Sequence, residues 1–281
     1  MNESDVLLVL GASFSDHTGI TPKKPIIQVD RDRNQIAKFH SVNAPVWGDL
    51  GVTCEILSEK LKGHKTTDQR PDVAERWGIW REEKHSRLDD DRGKGVNSAS
   101  IFDAMNKLVP SNAIIAVDVG NNTYSFGRYF ESSGDQSVLM SGYLGSIGFG
   151  YPAGIGAWAA TQVKDRWDGK FYKAPVIVVS GDGGFGQYAW EVTTAAKYGM
   201  NITHVLLHNS ELGKISKEQR AGGWDVWETS LSNPNIAEFV DSCGGLGIRV
   251  TKRSELEAAI AKALAYDGPA TVEVMTDGEL I

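Results

Sequence analysis

The segment at residues 174–207 constrains the fold of this chain more than any other part of its sequence. An apolar, β-rich run at Ala174–Ser180 is followed by the glycine-rich turn GDGG, a helical segment at Tyr188–Tyr198 and a second apolar run at Ile202–Leu207. Strand, helix and strand in this order form a βαβ unit, whose two strands lie parallel in one sheet. The segment therefore predicts an α/β fold built on a parallel sheet.

Residues 97–281 are expected to form the domain that contains this unit. Ser98 is expected to cap a helix that ends at Leu108, and a strand at 113–117 leads into the sequence DVGNN. The second half of the small-residue run at 141–160 predicts a helix packed closely on a neighbour, with Gly154 and Gly156 as the contact positions. A helix at 254–266 and a strand at 270–275 complete the domain.

Residues 1–62 predict part of another α/β domain, with parallel strands arranged as in a Rossmann-like fold. Strands are expected at 6–10 and 25–30, the second followed by a polar helical stretch, and a short third strand precedes Gly48 and Asp49. Residues 63–96 are charged and poor in aliphatic side chains, and Pro71 and several glycines interrupt them. They are expected to be a linker that carries a surface helix at 73–87.

The composition is that of an ordinary globular protein and restricts its partners. Hydrophobic residues make up 41% of the chain, charged residues 23%, and the formal net charge is −7. An acidic balance argues against nucleic acid, whose phosphates select basic surfaces. The two cysteines, Cys54 and Cys243, predict no disulfide framework. Because neither a membrane-length apolar run nor a signal-peptide pattern is recognised, we expect a cytoplasmic protein without a membrane span.

The sequence GDGGFG at 181–186 predicts an anion-binding site. Glycines let the backbone approach a ligand closely, and this stretch lies between a strand and a helix start, where amide groups and the helix dipole favour anions. Ligands of open α/β sheets sit outside the carboxyl ends of the strands, where this stretch lies. Asp182 suits an anion site only if a cation accompanies the anion, so the motif indicates a metal ion beside a phosphate group.

A second metal ligand is expected at the other end of the same βαβ unit. Asn209 follows the strand that ends in VLLH, 27 positions after Asp182. Both residues lie at the carboxyl ends of strands that we expect to be neighbours. A carboxylate, an amide oxygen and a backbone carbonyl suit Mg²⁺, which takes six oxygen ligands and borrows several from phosphate.

These motifs resemble the thiamine-diphosphate (ThDP) enzymes of the pyruvate oxidase and acetolactate synthase family. The stretch from GDGGFGQYAW to HVLLHN is similar to the family's ThDP signature, which starts with Gly-Asp-Gly and ends with Asn. The segments DVGNNTYSFGRYF, SGYLGSIGFGYPAGIGA, HNSELGKISKEQRAGGW, CGGLGIRV and DGPATVEV follow the family order. Nearer the start, LVLGASFSDHTGI, IIQVDRD and VWGD resemble the second half of the family's central domain. The resemblance covers nearly the whole chain and implies a ThDP-binding domain preceded by part of a central domain.

The resemblance implies a role for individual residues of this sequence. Mg²⁺ would be bound by the side chains of Asp182 and Asn209 and by the backbone carbonyl of Glu211. The carbonyl of Gly145 would accept a hydrogen bond from the aminopyrimidine, and Ile147 would support the bent conformation of the cofactor. The diphosphate would be contacted by the amides of Gly183 and Gly184 and, from the other side, by Asn121 and Asn122 in the loop after the strand that ends in DVG. Gly181 is also assigned to cofactor binding. Taken alone, Ile147 is most simply interpreted as a core residue, and His208 as a structural one.

The implied chemistry belongs mainly to the cofactor. The bend brings the aminopyrimidine imino nitrogen close to the thiazolium C2–H, and the ylid formed there attacks the carbonyl of pyruvate or a similar 2-oxo acid, which is then decarboxylated. Gly145 and Ile147 are the residues of this chain that the resemblance places nearest to the reacting ring. No catalytic triad is expected.

The resemblance also predicts a partner. In the family, a glutamate from a separate pyrimidine-binding domain drives formation of the imino tautomer, and this sequence contains no counterpart of that domain. We therefore expect a split subunit or a truncated form, completed by a second chain or by self-association. FAD binds mainly to the central domain in this family, so FAD binding is left open and is not predicted.

Other interpretations remain open at the level of sequence. The segments KEQRAGGW and GIRV favour the pyruvate oxidase branch, with acetolactate synthase and glyoxylate carboligase as alternatives. A non-catalytic ThDP-binding remnant or regulatory module is an alternative of a different class. A nicotinamide-binding protein is disfavoured, because GDGG lacks the G-x-G-x-x-G spacing and Asp182 would repel a pyrophosphate without a metal.

Overall fold

The computed structural model describes residues 3–12, 15 and 23–279. These residues form two compact units, which divide between Asp72 and Val73. Part of the stretch LVLGASFSDHTGI lies outside the described residues. Each unit is described by itself.

The first unit contains a three-stranded parallel sheet in the order β1-β2-β3. The strands are β1 (Leu7–Leu10), β2 (Ile26–Asp30) and β3 (Ala44–Trp47), and the helix α1 (Leu50–Lys60) follows. Leu7 pairs with Ile26, and Ile27 pairs with Ala44. The three strands that the sequence predicts are confirmed.

The helical stretch expected after β2 is wrong, because residues 31–40 form turns instead. The backbone N–H of Asp32 donates to Asp30 Oδ1 at 2.8 Å, and that of Asn34 donates to Asp32 Oδ1 at 3.0 Å. Side chains of this type offer the backbone an alternative to helical hydrogen bonds. A polar composition suited to a surface helix therefore produces a chain of turns here.

The second unit contains a six-stranded sheet in the order β5-β4-β6-β7-β9-β8, with every pairing parallel. Its strands are β4 (Ile114–Val117), β5 (Ser137–Met140), β6 (Val176–Gly181), β7 (Ile202–His208), β8 (Leu246–Val250) and β9 (Ala270–Met275). The pairing of β6 with β7 confirms the βαβ unit, and the parallel sheet confirms the α/β fold class.

Helices cover both faces of this sheet. The helices that follow the first unit's α1 are α2 (Arg70–Ser86), within which the two units divide, α3 (Ser98–Leu108), α4 (Asn121–Tyr129), α5 (Gly150–Thr161), α6 (Asp182–Gly186), α7 (Glu191–Lys197), α8 (Gly213–Ala221), α9 (Ile236–Ser242) and α10 (Leu256–Leu264). One core cluster includes Phe102 of α3 and Ile260 of α10, and the other includes Tyr151 of α5 and Val240 of α9. Within the described ranges, no helix is long and apolar enough to cross a membrane.

Two local predictions in the second unit are corrected. The cap of α3 is Asn97 rather than Ser98, because Asn97 Oδ1 accepts from the backbone N–H of Ser100 at 2.7 Å. The GDGG segment is not an open turn: Asp182–Gly186 forms the short helix α6 directly after β6. The predicted surface helix is confirmed as α2, and within the second unit its Trp80 indole donates to the carbonyl of Arg128 at 3.1 Å.

The two glycines of α5 that the sequence assigns to close packing behave differently. A Cβ atom at Gly154 would lie 2.4 Å from Val178 Cγ2 in β6, whereas a Cβ atom at Gly156 would meet nothing within 4 Å. Gly154 is therefore confirmed as a position where helix and sheet approach closely. The assignment of Gly156 is wrong, because its side of the helix is exposed.

We expect Gly154→Ala and Gly156→Ala to have different effects on stability. Both variants gain the same helix propensity, about 1 kcal/mol, so the difference between them isolates the packing cost. Overpacking of this kind costs about 1–3 kcal/mol, and Gly154→Ala should be the less stable variant by that amount. Urea denaturation of the two variants measures the difference; equal free energies of unfolding would contradict the packing role.

A histidine lies fully buried in the middle of the sheet of the second unit. His204 in β7 is 0% exposed, with its Nε2 atom 2.7 Å from Ser180 Oγ and its Nδ1 atom 3.3 Å from Thr271 Oγ1. Burial lowers the pKa of His204 from 6.5 to about 3. The three side chains link β6, β7 and β9 through neutral hydrogen bonds.

This burial predicts a pH dependence of stability. The unfolded chain protonates His204 below pH 6.5, whereas the folded chain does so only near about 3, so stability falls as the pH decreases through this window. The slope is about 1.4 kcal/mol per pH unit. His204→Gln should remove this slope, and His85→Gln, at an exposed histidine, should leave it unchanged. Free energies of unfolding between pH 7 and pH 5 check this, and an unchanged slope in His204→Gln would refute it.

Candidate cofactor-binding site

A cavity of about 320 Å³ lies at the carboxyl ends of the central strands of the second unit. The segments that follow β4, β6, β7 and β9 contribute to its lining. All ten residues that the family resemblance assigns to the cofactor line it, namely Asn121, Asn122, Gly145, Ile147, Gly181, Asp182, Gly183, Gly184, Asn209 and Glu211. The structure therefore brings these residues together, and their individual roles remain predictions.

Asp182 lies at this edge because β6 ends directly before it. Its side chain is 2% exposed. Its Oδ2 atom accepts hydrogen bonds from the backbone N–H of Ser210 at 2.9 Å and from Asn233 Nδ2 at 2.6 Å. Burial raises the pKa of the Asp182 carboxyl, and nearby His208 and these hydrogen bonds oppose that rise. A divalent cation beside the carboxylate would favour the charged form.

Asn209 follows β7, the strand adjacent to β6. Its Oδ1 atom accepts from the backbone N–H of Glu211 at 3.1 Å. Ser210, between them, has a left-handed backbone conformation with φ of 56°. The Glu211 carboxylate lies 3.6 Å from Arg220, so the contribution predicted for Glu211 is that of its backbone carbonyl.

Asn121 and Asn122 do not lie in a loop as expected, because they form the first turn of α4. Their side-chain amide groups differ in their hydrogen bonds. Asn122 Nδ2 donates to the carbonyl of Asp118 at 2.7 Å, whereas Asn121 Nδ2 is buried without a hydrogen-bond partner. A buried, unpaired donor is costly, and a ligand with acceptor oxygens in the cavity would satisfy it.

Gly213 brings two amide side chains close together at the cavity. A Cβ atom at Gly213 would lie 2.4 Å from Asn121 Nδ2 and 3.1 Å from Asn209 Nδ2. Gly213 is also the first residue of α8, and neither α8 nor α4 has a side-chain cap. The first N–H groups of a helix have no partner within the helix. The cavity thus meets two uncapped helix starts and the unpaired Asn121 amide, which together suit an anion.

The close packing of α6 explains two glycines of the GDGG segment. A Cβ atom at Gly183 would lie 2.8 Å from Leu212 Cδ2, and one at Gly184 would lie 2.3 Å from Asp118 Oδ2. Any larger residue would displace these neighbours. The sequence argument assigned these glycines to ligand approach, and the structure adds packing as an independent reason for them.

The loop that carries Gly145 and Ile147 is attached to the end of β4. Asp118 is 1% exposed, and its Oδ1 atom accepts from the backbone N–H of Gly148 at 2.9 Å. Gly145 has a left-handed φ of 61°. Ile147 is 38% exposed, so its interpretation as a core residue is wrong. It is an apolar side chain at the cavity.

Sequence reasoning missed several residues of the lining. The additional ones are Ser98, Val119, Gly120, Leu212, Gly213, Lys214, Ile215, Thr276, Asp277 and Gly278. Lys214 is the one cationic residue among the described lining residues, and its Nζ atom lies 2.8 Å from Glu218 and 4.9 Å from the centre of the Tyr124 ring. Lys214 could have been predicted from the sequence as a lining residue, because it follows shortly after the strand that ends at His208.

The donor set at the cavity restricts how a metal could bind. In residues 3–12, 15 and 23–279, no three His, Cys, Asp or Glu side chains gather in a metal-binding group. The oxygens of Asp182 and Asn209 would have to be supplemented by backbone carbonyls and by the ligand itself. This is the manner in which proteins bind Mg²⁺ together with phosphate groups.

Comparison with known protein families agrees with this geometry. Residues 118–274 match the family model of the C-terminal TPP-binding domain of thiamine pyrophosphate enzymes, and residues 1–57 match that of their central domain. The first match contains the cavity segments that follow β4, β6 and β7. ThDP and thiamine pyrophosphate are two names for the same cofactor.

Individual relatives extend the comparison over the whole chain. YdaP of Bacillus subtilis, named as a thiamine pyrophosphate-containing protein, is 31% identical over 99% of this chain and 47% of its own length. An acetolactate synthase large subunit of Buchnera aphidicola is 29% identical over 94% of this chain and 46% of its own length. The large subunit of acetolactate synthase isozyme 2 of Escherichia coli is 26% identical over 99% of this chain and 48% of its own length.

The chain spans about half the length of these relatives. The match over residues 118–274 covers more than half of the chain itself. On this evidence the chain belongs to the thiamine pyrophosphate enzyme family, of which it carries the C-terminal TPP-binding domain.

Proposed function

We propose that this chain is the diphosphate-binding component of a ThDP- and Mg²⁺-dependent enzyme that decarboxylates pyruvate or a related 2-oxo acid, as a pyruvate oxidase or an acetolactate synthase does. The observation that carries the proposal is the placement of Asp182 and Asn209 at the ends of adjacent strands, at the cavity lined by all ten predicted residues. In this proposal residues 97–281 are the diphosphate-binding domain, residues 63–96 a linker and residues 1–62 part of the central domain.

The residues of the cavity fit the cofactor's charged end. Asp182, Asn209 and the Glu211 carbonyl would hold Mg²⁺, which in turn neutralises the diphosphate. Asn121 Nδ2, which is buried and unpaired, would donate to a phosphate oxygen, together with backbone amides of Gly183 and Gly184. Asn122 would act indirectly, because its amide is bonded to Asp118.

The remaining predicted residues would act on the cofactor's rings. ThDP supplies an electron sink for decarboxylation when bound. The exposed Ile147 side chain would support the bent conformation and exclude water, and the Gly145 carbonyl would accept from the aminopyrimidine. Asp118 would fix the loop of both residues through its bond to Gly148.

The complete reaction requires more than the described cavity in this proposal. The glutamate that acts on the cofactor's ring would come from a pyrimidine-binding domain, whereas the family matches in these 281 residues are to the C-terminal and central domains. Two relatives are acetolactate synthase large subunits, which favours a 2-oxo acid as substrate. The alternative is a non-catalytic ThDP-binding module, and turnover separates the two.

Asp182→Ala tests the metal assignment. We expect the wild-type chain to bind ThDP only with Mg²⁺. Removal of an outer-shell partner in a metal site lowers metal affinity about 10–100-fold. We expect Asp182→Ala, which removes a ligand itself, to lower ThDP affinity by at least this factor. Asp267→Ala, at an exposed aspartate outside the cavity, is the control. Titration calorimetry measures binding, and unchanged affinity in Asp182→Ala would refute the assignment.

Measurement of CO₂ release from pyruvate then distinguishes between the two proposals, an enzyme component and a non-catalytic binding module. Turnover that requires Asp182 would support the enzyme component. Binding without turnover, also after addition of a chain that carries a pyrimidine-binding domain, would support the module.

Gly213→Ala tests the anion site without replacing a proposed metal ligand. The added methyl group would displace the amides of Asn121 and Asn209, and loss of one hydrogen bond to a charged group costs about 1.5–3 kcal/mol. We therefore expect ThDP affinity to fall about 10–100-fold. Gly186→Ala is the matched control, because its Cβ atom would meet nothing within 4 Å. Equal affinities of the two variants would contradict the proposed position of the diphosphate.

A further inference from the structure

A chain of polar side chains leads from the interior of the sheet to Asp182. Glu273 in β9 is 0% exposed, His208 at the end of β7 is 4% exposed, and the half-buried Asn233 lies in the segment between α8 and α9. None of the three belongs to the lining of the cavity. Together they are called the polar relay, and its last member, Asn233, contacts Asp182.

Glu273 sets the tautomer of His208. The His208 Nδ1 atom lies 2.6 Å from Glu273 Oε1, and a carboxylate at this distance requires a donor, so Nδ1 carries the hydrogen. The His208 Nε2 atom lies 3.1 Å from Asn233 Nδ2 and 3.0 Å from Ser210 Oγ.

The Asp182 carboxylate sets the orientation of the Asn233 amide. Asn233 Nδ2 lies 2.6 Å from Asp182 Oδ2 and 3.1 Å from His208 Nε2. A carboxylate oxygen accepts hydrogen bonds, so the amide must present its NH₂ group to Asp182. The opposite orientation would place the amide oxygen against a carboxylate oxygen.

The relay is anchored at its far end. Glu273 Oε2 accepts from the backbone N–H of Ala237 at 3.0 Å, and Arg249 Nη1 lies 3.3 Å from Glu273 Oε1. Near Asn233 the chain is held by a bond from the backbone N–H of Leu231 to the carbonyl of Ser210 at 2.8 Å. These contacts hold the backbone at Leu231 and at Ala237, on either side of Asn233.

Only one carboxylate oxygen of Asp182 receives these contacts. Ser210 N–H and Asn233 Nδ2 both donate to Oδ2, and His208 Nε2 lies 3.7 Å from the same atom. The Oδ1 atom receives none of them. Holding one oxygen of a carboxylate fixes the direction of the other, which is how outer-shell partners orient metal ligands.

We propose that Asn233, which donates to Asp182 and lies against His208, is a positioning residue that directs the Asp182 carboxylate toward a divalent cation. This inference rests on the proposed function, because it assigns a role within the metal site placed there. His208, which the sequence argument interpreted as structural, connects Asn233 to Glu273 in the relay.

Two variants of Asn233 test the inference. Asn233→Ala removes the side chain, and Asn233→Asp keeps its shape but removes both donor hydrogens. We expect both to raise the Mg²⁺ concentration needed for half-maximal ThDP binding about 10–100-fold. Excess Mg²⁺ should restore ThDP affinity in Asn233→Ala, which it would not do for a general structural defect. Mn²⁺ in place of Mg²⁺ gives a direct reading of metal binding by electron paramagnetic resonance.

Asn235→Ala is the matched control. Asn235 lies two positions further on and caps α9 by accepting from the backbone N–H of Glu238 at 3.2 Å. Its loss should lower the thermal unfolding midpoint of the chain without cofactor and leave the Mg²⁺ requirement unchanged. Asn233→Ala should show the reverse pattern, with a large change in Mg²⁺ requirement and a smaller change in unfolding midpoint.

The outcomes separate this inference from the function on which it rests. If wild type binds ThDP with Mg²⁺ and the Asn233 variants need the same Mg²⁺ concentration, the positioning role is wrong and the proposed function stands. If wild type shows no Mg²⁺-dependent ThDP binding, the proposed function fails and the inference fails with it. A raised Mg²⁺ requirement in Asn233→Asp, with Asn235→Ala unchanged, supports the positioning role.

Discussion

The parallel pairing of β6 with β7 is the interaction on which the rest of the site depends. The register pairs Gly181 with Leu207, so the residues that follow the two strands emerge at the same level of the sheet. Asp182 and Asn209, 27 positions apart in the sequence, therefore meet at one cavity. Because the outer neighbours β4 and β9 are also parallel, their carboxyl ends add Asn121 and Asp277 to the same edge.

Two carboxylates are buried at this edge, Asp182 and Asp277. Asp277 lies 3.5 Å from Arg92, and Lys214 is engaged with Glu218. Burial raises the pKa of Asp182 and of Asp118, which means that the carboxylate forms are held at a cost. A divalent cation would relieve that cost at Asp182 and attract an anion at the same time. The electrostatics and the family membership therefore indicate the same kind of ligand.

Close packing restricts the site as strongly as charge does. Gly183, Gly184 and Gly213 each approach a neighbour so closely that a Cβ atom would displace it. Asp118 contacts both α6, through Gly184, and the Ile147 loop, through Gly148. Asp118 therefore connects α6, which begins at Asp182, with the loop that carries Ile147.

Local sequence patterns determined much of the fold. The apolar runs of β4, β6, β7 and β9 and the helices α3, α5, α7 and α10 could be identified because each is a continuous pattern within one element. The helices α4, α6, α8 and α9 were not predicted. The edge strands β5 and β8 were not assigned, because four or five residues with mixed exposure carry little pattern of their own. The helix expected at 31–40 failed because the side chains of Asp30 and Asp32 capture backbone N–H groups, a competition that periodicity does not reveal.

The sequence by itself also determined the ten residues at the cavity, because the family motifs carry them in order. Only the tertiary structure decided the relations between distant segments. The approach of Gly213 to Asn121, the attachment of the Ile147 loop to Asp118 and the bond from Asn233 to Asp182 join residues 30 to 92 positions apart. Such contacts depend on where helices and loops pack on the sheet, and no pattern within a single element encodes that placement.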